Sequence, residues 1–578
     1  MKKRKYLSIA LALLLGLSVS MAYVSTPISA QAEQKQQTND SMGDGTQNRN
    51  WVKKSKKPPI STKTYSVNVQ ENVEITMRDG VVLRGRLFLP QGVDLPQPSL
   101  ILENGYGHVN QKKADDLSRY LAEHGYPTLH VGLRGSGTSD GEANLFNKFS
   151  EDGYDLVEWM AKQPWSDGNV GLVGQSLRGI SQWLTAKELP PSLKAISPEI
   201  ACTDCYDYLW YPGGMLPGPG RVGRGDPEYT SVLPHRDFDA WWRERTLNTQ
   251  DLQSISKQGI AALISGGWQD YITPGNIQAF KEFSALGGKS KMIIGPGAHD
   301  TIYDLLPYDF KDYQVAWFDR YLRGLDNGID KEDSVLIYVQ GPNQWRFEKA
   351  WPIPDARIAT MYLSDQHSGS ISSINDGTLS TVQPKEQNSS EDYEYSPTTG
   401  PFLHTLRSNK NGILKVDQSP YQEKTLTWTT GSLSDPTELT GSVKFSFWAE
   451  SSAEDTDFVI EISDVAPDGT ATQVTAGYLN GPRAKSRTHP TPLTPGKIEQ
   501  FNIEALPTSY VFQEGHRIRI SMAGGTTALP DQVGPQGPGL NPNEATVKIY
   551  QDARYPSHLE IPIIGKALLP TESKKRNK

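Results

Sequence analysis

Residues 170–179 read Val-Gly-Leu-Val-Gly-Gln-Ser-Leu-Arg-Gly, an apolar run that leads into a serine flanked by small residues. The apolar run predicts a buried strand, and the residues from Gly179 to Glu188 predict a helix. A serine between a strand and a helix is typical of a nucleophile elbow, in which a strained turn exposes the hydroxyl. Arg178 stands where the usual Gly-x-Ser-x-Gly pattern has its second glycine, and Gly179 follows it. Ser176 is therefore a candidate nucleophile.

Predicted strands and helices alternate around this stretch. A β-meander from Tyr65 comes first, with a turn at Asp79-Gly80. Helices then separate short apolar strands at Leu100 to Leu102, Thr128 to Leu133, Val170 to Val173, Ala261 to Ser265 and Lys291 to Ile294. This series predicts a mostly parallel sheet and an α/β domain. Residues 201–258 interrupt it and are rich in aromatic residues, Gly and Pro, so we expect a cap over the crevice at the carboxyl ends of the strands.

The second half of the chain has a different pattern. Beyond about Gly341 helical periodicity disappears, and short strands recur with turn signals such as Ala466-Pro467-Asp468-Gly469. This pattern predicts an all-β sandwich. We place the α/β domain at residues 65–345, with the cap at about 201–258, the sandwich at 346–572 and a polar tail at 573–578.

The N-terminus has the pattern of a signal peptide over residues 1–32. Basic residues from Lys2 to Lys5 precede an apolar run from Tyr6 to Val19 and a small-residue site at Ala30-Gln31-Ala32. The apolar run is shorter than the roughly 20 residues that a spanning helix needs. We therefore expect cleavage, a secreted protein, and no stable membrane insertion afterwards. Residues 33–64 are polar and without periodicity, which predicts a flexible leader.

Charge and cysteine content narrow the function classes. The formal net charge of the 578 residues is -8 and the basic residues are dispersed, which argues against a nucleic-acid partner. Only two cysteines occur, Cys202 and Cys205, and no second Cys pair or close His pair completes a metal site, so we expect no bound metal. In an exported chain this pair predicts a local disulfide, with two packed free thiols as the alternative.

A histidine and an acid that serve such a serine follow it along the chain. Of the ten histidines, only His235 and His299 lie after Ser176 within the α/β region. His235 falls in the predicted cap, whereas His299 follows an apolar strand, where a base can reach a serine hydroxyl. Asp270 follows the preceding strand. Taken singly, Asp270 also fits a helix cap and His299 a surface loop, but their joint placement favours a catalytic triad.

The segments around these residues resemble the X-prolyl dipeptidyl-peptidase/cocaine esterase family of serine hydrolases. They are Ser176 in Gly-Gln-Ser-Leu-Arg-Gly-Ile-Ser-Gln-Trp, Asp270 after Gly-Gly-Trp, and His299 after Ile-Gly-Pro. Similar blocks lie at residues 134–141, 154–159, 317–324, 455–458, 464–469 and 515–520. The resemblance covers nearly all of the mature chain.

This resemblance implies an α/β-hydrolase core with a helical cap and a C-terminal jelly roll. It implies small-molecule or peptide ester and amide substrates, cleaved by dipeptidyl-peptidases, esterases, α-amino acid ester hydrolases, or glutaryl and β-lactam acylases. It also implies an oxyanion hole made by the Tyr106 hydroxyl and the Leu177 backbone N–H, although the family usually has tyrosine at position 177. From sequence alone, Tyr106 also fits simple packing. Covalent acyl transfer by Ser176, His299 and Asp270 needs no cofactor.

Charged residues in the predicted cap bear on the substrate. Its carboxylates are candidates to bind a substrate ammonium group, and its arginines are candidates to pair with an anionic acyl chain. The alternative is that all of them are exposed cap charges: Asp204, Asp207, Asp226, Glu228, Arg221 and Arg224. A different function class is an exported carbohydrate- or cell-wall-binding protein with a vestigial hydrolase core, but three triad groups in the required order argue against it.

Overall fold

The computed structural model describes most of the chain between Arg49 and Gly565. The described ranges are 49–52, 60, 64–106, 111–143, 145–215, 231–299, 306, 308–402, 416–527 and 544–565. The predicted signal peptide at 1–32, most of the predicted leader at 33–64 and the predicted tail at 573–578 lie outside these ranges. Within them, no helix is both long enough and apolar enough to cross a membrane.

The N-terminal part of the chain forms one sheet of eleven strands in the described ranges. In chain order these are β1 (Asn50–Trp51), β2 (Ser66–Thr76), β3 (Val82–Gln91), β4 (Gln97–Asn104), β5 (Thr128–Gly132), β6 (Ser166–Gln175), β7 (Leu193–Glu199), β8 (Ala261–Gly267), β9 (Ser290–Gly295), β10 (Val335–Val339) and β11 (Gln344–Glu348). Across the sheet the order is β1-β11-β10-β9-β8-β7-β6-β4-β5-β3-β2. The strands from β4 to β10 pair in parallel, and the outer strands pair antiparallel. The predicted mostly parallel sheet is confirmed.

Helices cover both faces of this sheet. They are α1 (Gln111–Glu123), α2 (Phe149–Ala161), α3 (Leu177–Lys187), α4 (Ala240–Glu244), α5 (Thr249–Gln258), α6 (Thr273–Ala285) and α7 (Phe310–Tyr321). Ile101 and Leu102 are neighbours in β4, so their side chains point to opposite faces. Ile101 packs in a core that includes Trp183 of α3, and Leu102 packs in a second core that includes Trp317 of α7.

Part of the predicted flexible leader belongs to the sheet. Strand β1 pairs antiparallel with β11, which is almost 300 residues away along the chain. Arg49 forms ion pairs with Glu348 and Asp355, and the Arg346 guanidinium lies 5.0 Å from the centre of the Trp51 ring. The expectation of a leader without structure is therefore wrong at this point. The local sequence is polar, and these contacts come from a distant partner.

The predicted cap at 201–258 also differs from the structure at its end. The segment begins with a single π-helical turn at Tyr206–Trp210 and contains the short helix α4. Its last helix, α5, packs between α3 and α6 and buries Leu252 and Ile255 in the core of the α/β domain. This helix is the crossover from β7 to β8, so the inserted part ends before Thr249.

The C-terminal part is an all-β domain that contains thirteen strands where the structure describes it. These are β12 (Arg357–Ser364), β13 (Gly377–Ser380), β14 (Ser390–Glu394), β15 (Leu426–Thr429), β16 (Thr437–Gly441), β17 (Lys444–Ser451), β18 (Asp457–Val465), β19 (Ala471–Asn480), β20 (Glu499–Glu504), β21 (Thr508–Phe512), β22 (Arg517–Ala523), β23 (Thr546–Tyr550) and β24 (His558–Ile564), with one short helix, α8 (Ser419–Gln422). All but one of their pairings are antiparallel. Stacked rings of Phe445, Phe447 and Phe501 lie in its core. The predicted β domain is confirmed.

The two domains are joined by a buried ion pair. Arg346 of β11 donates two hydrogen bonds, of 2.8 and 2.6 Å, to the carboxylate of Glu438 in β16, and both side chains are fully buried. Beside it, the backbone N–H of Gln340 donates to the carbonyl of Ser509 at 3.0 Å. The sandwich is therefore docked against the edge of the parallel sheet through specific polar contacts.

Candidate active site

The turn at Ser176 has the geometry of a nucleophile elbow. Ser176 lies between the end of β6 and the start of α3 with φ of 64° and ψ of -125°, a positive-φ conformation that is strained for a residue with a side chain. Its backbone N–H donates to the carbonyl of Glu199 at 2.8 Å, at the end of the neighbouring strand β7. This hydrogen bond holds the turn at the carboxyl edge of the sheet.

Two glycines allow the close approach of strand and helix around this turn. A methyl group at position 179 would lie 2.7 Å from the carbonyl oxygen of Glu199, and one at position 174 would lie 2.6 Å from Cβ of Arg178. The steric requirement after the serine therefore falls on Gly179. This explains why the chain tolerates Arg178 where the usual pattern has glycine.

Asp270 and His299 form a hydrogen-bonded pair at the same edge. Asp270 follows β8, His299 follows β9, and His299 Nδ1 lies 2.6 Å from Asp270 Oδ2. The other carboxylate oxygen accepts the backbone N–H of Ile272 at 2.8 Å. Asp270 is buried, whereas the side chain of His299 is 25% exposed. A buried carboxylate on Nδ1 fixes the tautomer in which Nε2 can act as a base.

Hydrogen bonds tie these two loops to the elbow. The side-chain amide of Gln175, directly before Ser176, donates to the backbone carbonyl of His299. The backbone N–H of Gln269 donates to the carbonyl of Gly297 at 3.1 Å. The structure therefore brings the loops of the three predicted triad residues together, because strands β6, β8 and β9 are parallel and end at one edge.

The two predicted oxyanion donors also meet. Tyr106 follows β4, and its hydroxyl oxygen accepts the backbone N–H of Leu177 at 2.9 Å. Gly105 leaves no room for a side chain, because the Leu177 side chain packs against it. A carbonyl oxygen bound beside Ser176 would thus face two N–H or O–H donors from different elements, the arrangement needed to stabilise an oxyanion.

Comparison with known proteins agrees with this geometry. The profile described as X-Pro dipeptidyl-peptidase (S15 family) matches residues 79–231 and 219–301, and that of the X-Pro dipeptidyl-peptidase C-terminal non-catalytic domain matches residues 327–560. The chain belongs to the X-Pro dipeptidyl-peptidase/cocaine esterase family of serine hydrolases. The resemblance noted from the sequence is confirmed.

Relatives of this serine hydrolase carry both kinds of name. It is 28% identical to the cocaine esterase of Rhodococcus sp., over 86% of this chain and 99% of the relative. It is 24% identical to a putative Xaa-Pro dipeptidyl-peptidase of Streptomyces avermitilis, over 74% of this chain and 72% of the relative. A CocE/NonD family hydrolase from Staphylococcus aureus has the same fold, with a TM-score of 0.70 and 20% identity over 86% of this chain and 94% of that one.

A cavity of about 210 Å³ adjoins Leu177, one of the two predicted oxyanion donors. Its lining includes Gly105, Leu133, Phe146, Phe149 and Leu177, together with the acidic residue Glu142. Arg134 also reaches the cavity, but ion pairs with Asp152 and Asp79, of 2.5 and 3.0 Å, compensate its charge. The cavity therefore offers a compact apolar group a place beside the reacting carbonyl.

The candidate substrate-binding charges of the cap are only partly placed. Asp204 and Asp207 both accept from Nη1 of Arg487 at 2.5 Å, so a guanidinium of the sandwich domain already occupies them. Asp226, Glu228, Arg221 and Arg224 lie outside the described residues. The expectation that all these charges are simply exposed is wrong for Asp204 and Asp207, because their partner comes from about 280 residues away.

The structure also places His235 and the two cysteines of the predicted cap region. His235 pairs with Asp239 at 2.6 Å and stacks on Trp241, away from the Asp270–His299 pair. Cys202 and Cys205 are joined in a disulfide just after β7. The predicted local disulfide is therefore present, and neither cysteine is a free thiol, which was the alternative.

Sequence reasoning missed a polar network next to the predicted oxyanion donor Tyr106. It consists of Arg178, Asn104, His130 and Asp115, and the first three are buried. Asn104 is the last residue of β4, and His130 lies in the neighbouring strand β5. A polar residue in each of two neighbouring buried strands is a signal that could have revealed the network.

Proposed function

We propose that this serine hydrolase cleaves esters through a covalent acyl-enzyme on Ser176. His299 Nε2 takes the Ser176 proton as Oγ attacks the substrate carbonyl carbon, and Asp270 stabilises the resulting imidazolium. His299 then passes the proton to the leaving oxygen, and the acyl group stays on Oγ. Water repeats both steps and releases the acid. The observation that carries this proposal is the 2.6 Å Asp270–His299 contact, held beside the elbow by Gln175.

The Tyr106 hydroxyl and the Leu177 N–H supply the electrostatic part of this proposal. Negative charge develops on the carbonyl oxygen in the tetrahedral intermediate, so donors aimed at that position stabilise the transition state more than the bound substrate. The 2.9 Å contact between Leu177 N and Tyr106 Oη puts the two donors within reach of one oxygen atom.

The preferred substrate in this proposal is an ester with a compact apolar group and no required ammonium group. The cavity beside Leu177 fits such a group. A dipeptidyl-peptidase or an amino acid ester hydrolase needs an anionic site for the substrate amine, and Arg487 already forms ion pairs with both Asp204 and Asp207. The alignment with cocaine esterase over 99% of that relative also favours an ester.

A substrate panel tests this proposal. It compares p-nitrophenyl acetate and benzoate with Gly-Pro-p-nitroanilide, an alanine ester and a glutaryl amide, using the mature protein and Ser176→Ala. We expect the two simple esters to have the highest kcat/KM, with an initial burst of about one equivalent of p-nitrophenol per enzyme. Dominance of Gly-Pro-p-nitroanilide or of the alanine ester would contradict the proposed substrate. Full activity in Ser176→Ala would contradict the nucleophile.

We also propose that the protein is secreted. The signal-like pattern at residues 1–32 supports export, and a disulfide persists in oxidising compartments. The full chain, expressed in a bacterium with an intact export pathway, should be recovered from outside the cytoplasm with Glu33 as its first residue. Recovery of the uncleaved chain in the cytoplasm would contradict this proposal.

A further inference from the structure

Arg178 is a buried cation that forms no ion pair with any described residue. It is 7% exposed, and its Nη2 has no hydrogen-bond partner in the structure. Its Nε donates to Asn104 Oδ1 at 3.3 Å, and no carboxylate of the described residues pairs with it within 4.0 Å. Burial lowers the pKa of the guanidinium, and the nearby Tyr106 and Glu199 oppose this shift. A buried charge of this kind is costly for the fold, so its presence calls for a compensating interaction.

The face of Tyr106 is the closest feature that favours this cation. The guanidinium carbon lies 5.0 Å from the ring centre, within the range of a cation–π contact. The hydroxyl of the same ring contacts the Leu177 N–H. Arg178 is therefore separated from the proposed oxyanion position by a single aromatic ring.

A hydrogen-bonded chain fixes both residues in place. Asn104 Oδ1 accepts from Arg178 Nε at 3.3 Å and from the Tyr106 backbone N–H at 3.2 Å. Its Nδ2 lies 3.1 Å from His130 Nε2, and His130 Nδ1 lies 2.7 Å from Asp115 Oδ1. Because a carboxylate only accepts, His130 carries its proton on Nδ1 and accepts from Asn104 through Nε2. In this tautomer the amide nitrogen of Asn104 donates to His130, so the amide oxygen faces Arg178 and the Tyr106 N–H.

We propose that Arg178 is a positioning residue that strengthens the oxyanion hole through Tyr106. When the Tyr106 hydroxyl donates to the developing oxyanion, negative charge builds up on its own oxygen and ring. A cation on the ring face stabilises that charge more in the transition state than in the ground state. The same cation holds the ring against the Leu177 N–H. The inference rests on the proposed function, since it assumes that Tyr106 is an oxyanion donor.

A double-mutant cycle tests the inference. The variants are Arg178→Met, which keeps a long side chain without the charge, Tyr106→Phe, and the two combined, assayed on p-nitrophenyl acetate. We expect Tyr106→Phe to lower kcat about 100- to 1,000-fold. Arg178→Met should lower kcat roughly 10- to 30-fold with KM changed less than about twofold. In the Tyr106→Phe background, the same substitution should change kcat by less than about twofold, because the hydroxyl through which it acts is gone.

Two further variants separate this role from a structural one. Arg178→Lys should recover part of kcat, since it restores a cation near the ring. Arg519→Met removes a buried arginine of the sandwich that also forms no ion pair with a described residue and donates hydrogen bonds to Gln422 and Thr429. It should lower the melting temperature with kcat unchanged, which shows what a purely structural loss does.

Failure of this inference differs from failure of the proposed function. Equal losses from Arg178→Met in both backgrounds, or a loss confined to KM, would overturn the action through Tyr106. No loss of kcat in Arg178→Met would overturn it as well. Normal kcat in Tyr106→Phe, by contrast, would remove the proposed oxyanion donor itself.

Discussion

At the scale of single residues, the hydrogen bonds of Asp270 define what the histidine can do. One carboxylate oxygen is held by the Ile272 N–H and the other faces His299 Nδ1. Because Asp270 is buried, it cannot exchange these partners for water. The imidazole is thus locked with Nε2 available for proton transfer.

The variant Asp270→Asn should lower kcat by about 10⁴-fold. An asparagine keeps the size of the side chain, but its amide no longer stabilises an imidazolium and favours the wrong tautomer of His299. The measurement is kcat on p-nitrophenyl acetate, together with the melting temperature, which should change little. Asp464→Asn is the matched control, since it alters the His516–Asp464 pair of the sandwich, whose Nδ1 to Oδ1 distance is 2.8 Å. Similar effects of the two variants on kcat would contradict the role of Asp270.

The sequence predicts the residues of the site that depend on chain order, and misses those that depend on distant packing. Ser176, Asp270 and His299 each follow a recognisable strand, so a parallel sheet alone places their loops at one edge. Arg178 carries no such signal, because its surroundings are set by Asn104 at the end of β4 and by Tyr106 just after it. From the sequence, Arg178 is only a departure from the usual Gly-x-Ser-x-Gly pattern, and the pattern predicts no catalytic role for its side chain.

At the scale of elements, the elbow depends on how closely α2, α3 and β4 pack. Gly153 of α2 has no space for a side chain, because Thr185 of α3 lies against it. The Thr185 hydroxyl in turn donates to Glu103 of β4 at 3.1 Å. Glu103 is fully buried, and its second carboxylate oxygen has no hydrogen-bond partner in the structure. Burial raises the pKa of Glu103 from 4.5 to about 7.

This shift predicts a loss of stability as the pH rises. Between about pH 4.5 and 7, the folded protein keeps the Glu103 proton that the unfolded chain has already lost. The stabilisation is complete below this window and is lost as the pH rises through it, by up to about 3 kcal/mol. Glu103→Gln should remove this part of the pH dependence, so its free energy of unfolding should rise relative to wild type with increasing pH. Urea unfolding at pH 4.5, 6 and 7.5 measures this, and parallel pH curves for the two proteins would contradict it.

Turns and strands with a strong local sequence pattern agree with their predictions. Elements whose conformation depends on contacts with distant residues differ from them. The turn at Asp79-Gly80 and the strand after it are confirmed, since Gly80 has φ of 87° and Val81 donates to Asp79. The part of the predicted β-meander that precedes the turn is one strand, β2, with an irregular register between Gln70 and Val73. Asn72 absorbs the irregularity with a positive φ, which alternation alone cannot show.

At the scale of the whole molecule, the buried Arg346–Glu438 pair couples the sandwich to the catalytic domain. Both side chains are inaccessible to water, so each charge depends on the other. Arg346 also contacts Glu348 at 2.8 Å, which in turn pairs with Arg49. The chain of charges connects Arg49, directly before β1, with β11 and β16, three parts of the protein that are far apart in sequence. The pattern of strands predicts both domains, but no local signal predicts this contact.

The variant Glu438→Ala should lower the free energy of unfolding by about 3–5 kcal/mol, because it leaves a buried guanidinium without its main partner. The double variant Arg346→Met/Glu438→Leu should regain most of this loss, since apolar residues of similar size carry no desolvation cost. Guanidinium chloride unfolding followed by tryptophan fluorescence measures both. A stability loss in the double variant as large as in Glu438→Ala would show that packing, rather than an unpaired charge, is responsible.

The central claim is that one activated serine, Ser176, carries the chemistry of this molecule. The most direct measurement treats the native protein at neutral pH with a fluorophosphonate probe and locates the adduct by intact-mass and peptide mass spectrometry. We predict a single adduct per chain, on the peptide that contains Ser176, and none in Ser176→Ala, because only a serine with a general base attacks the probe. Equal labelling of Ser176→Ala, or an adduct on another residue of the wild-type protein, would contradict the account.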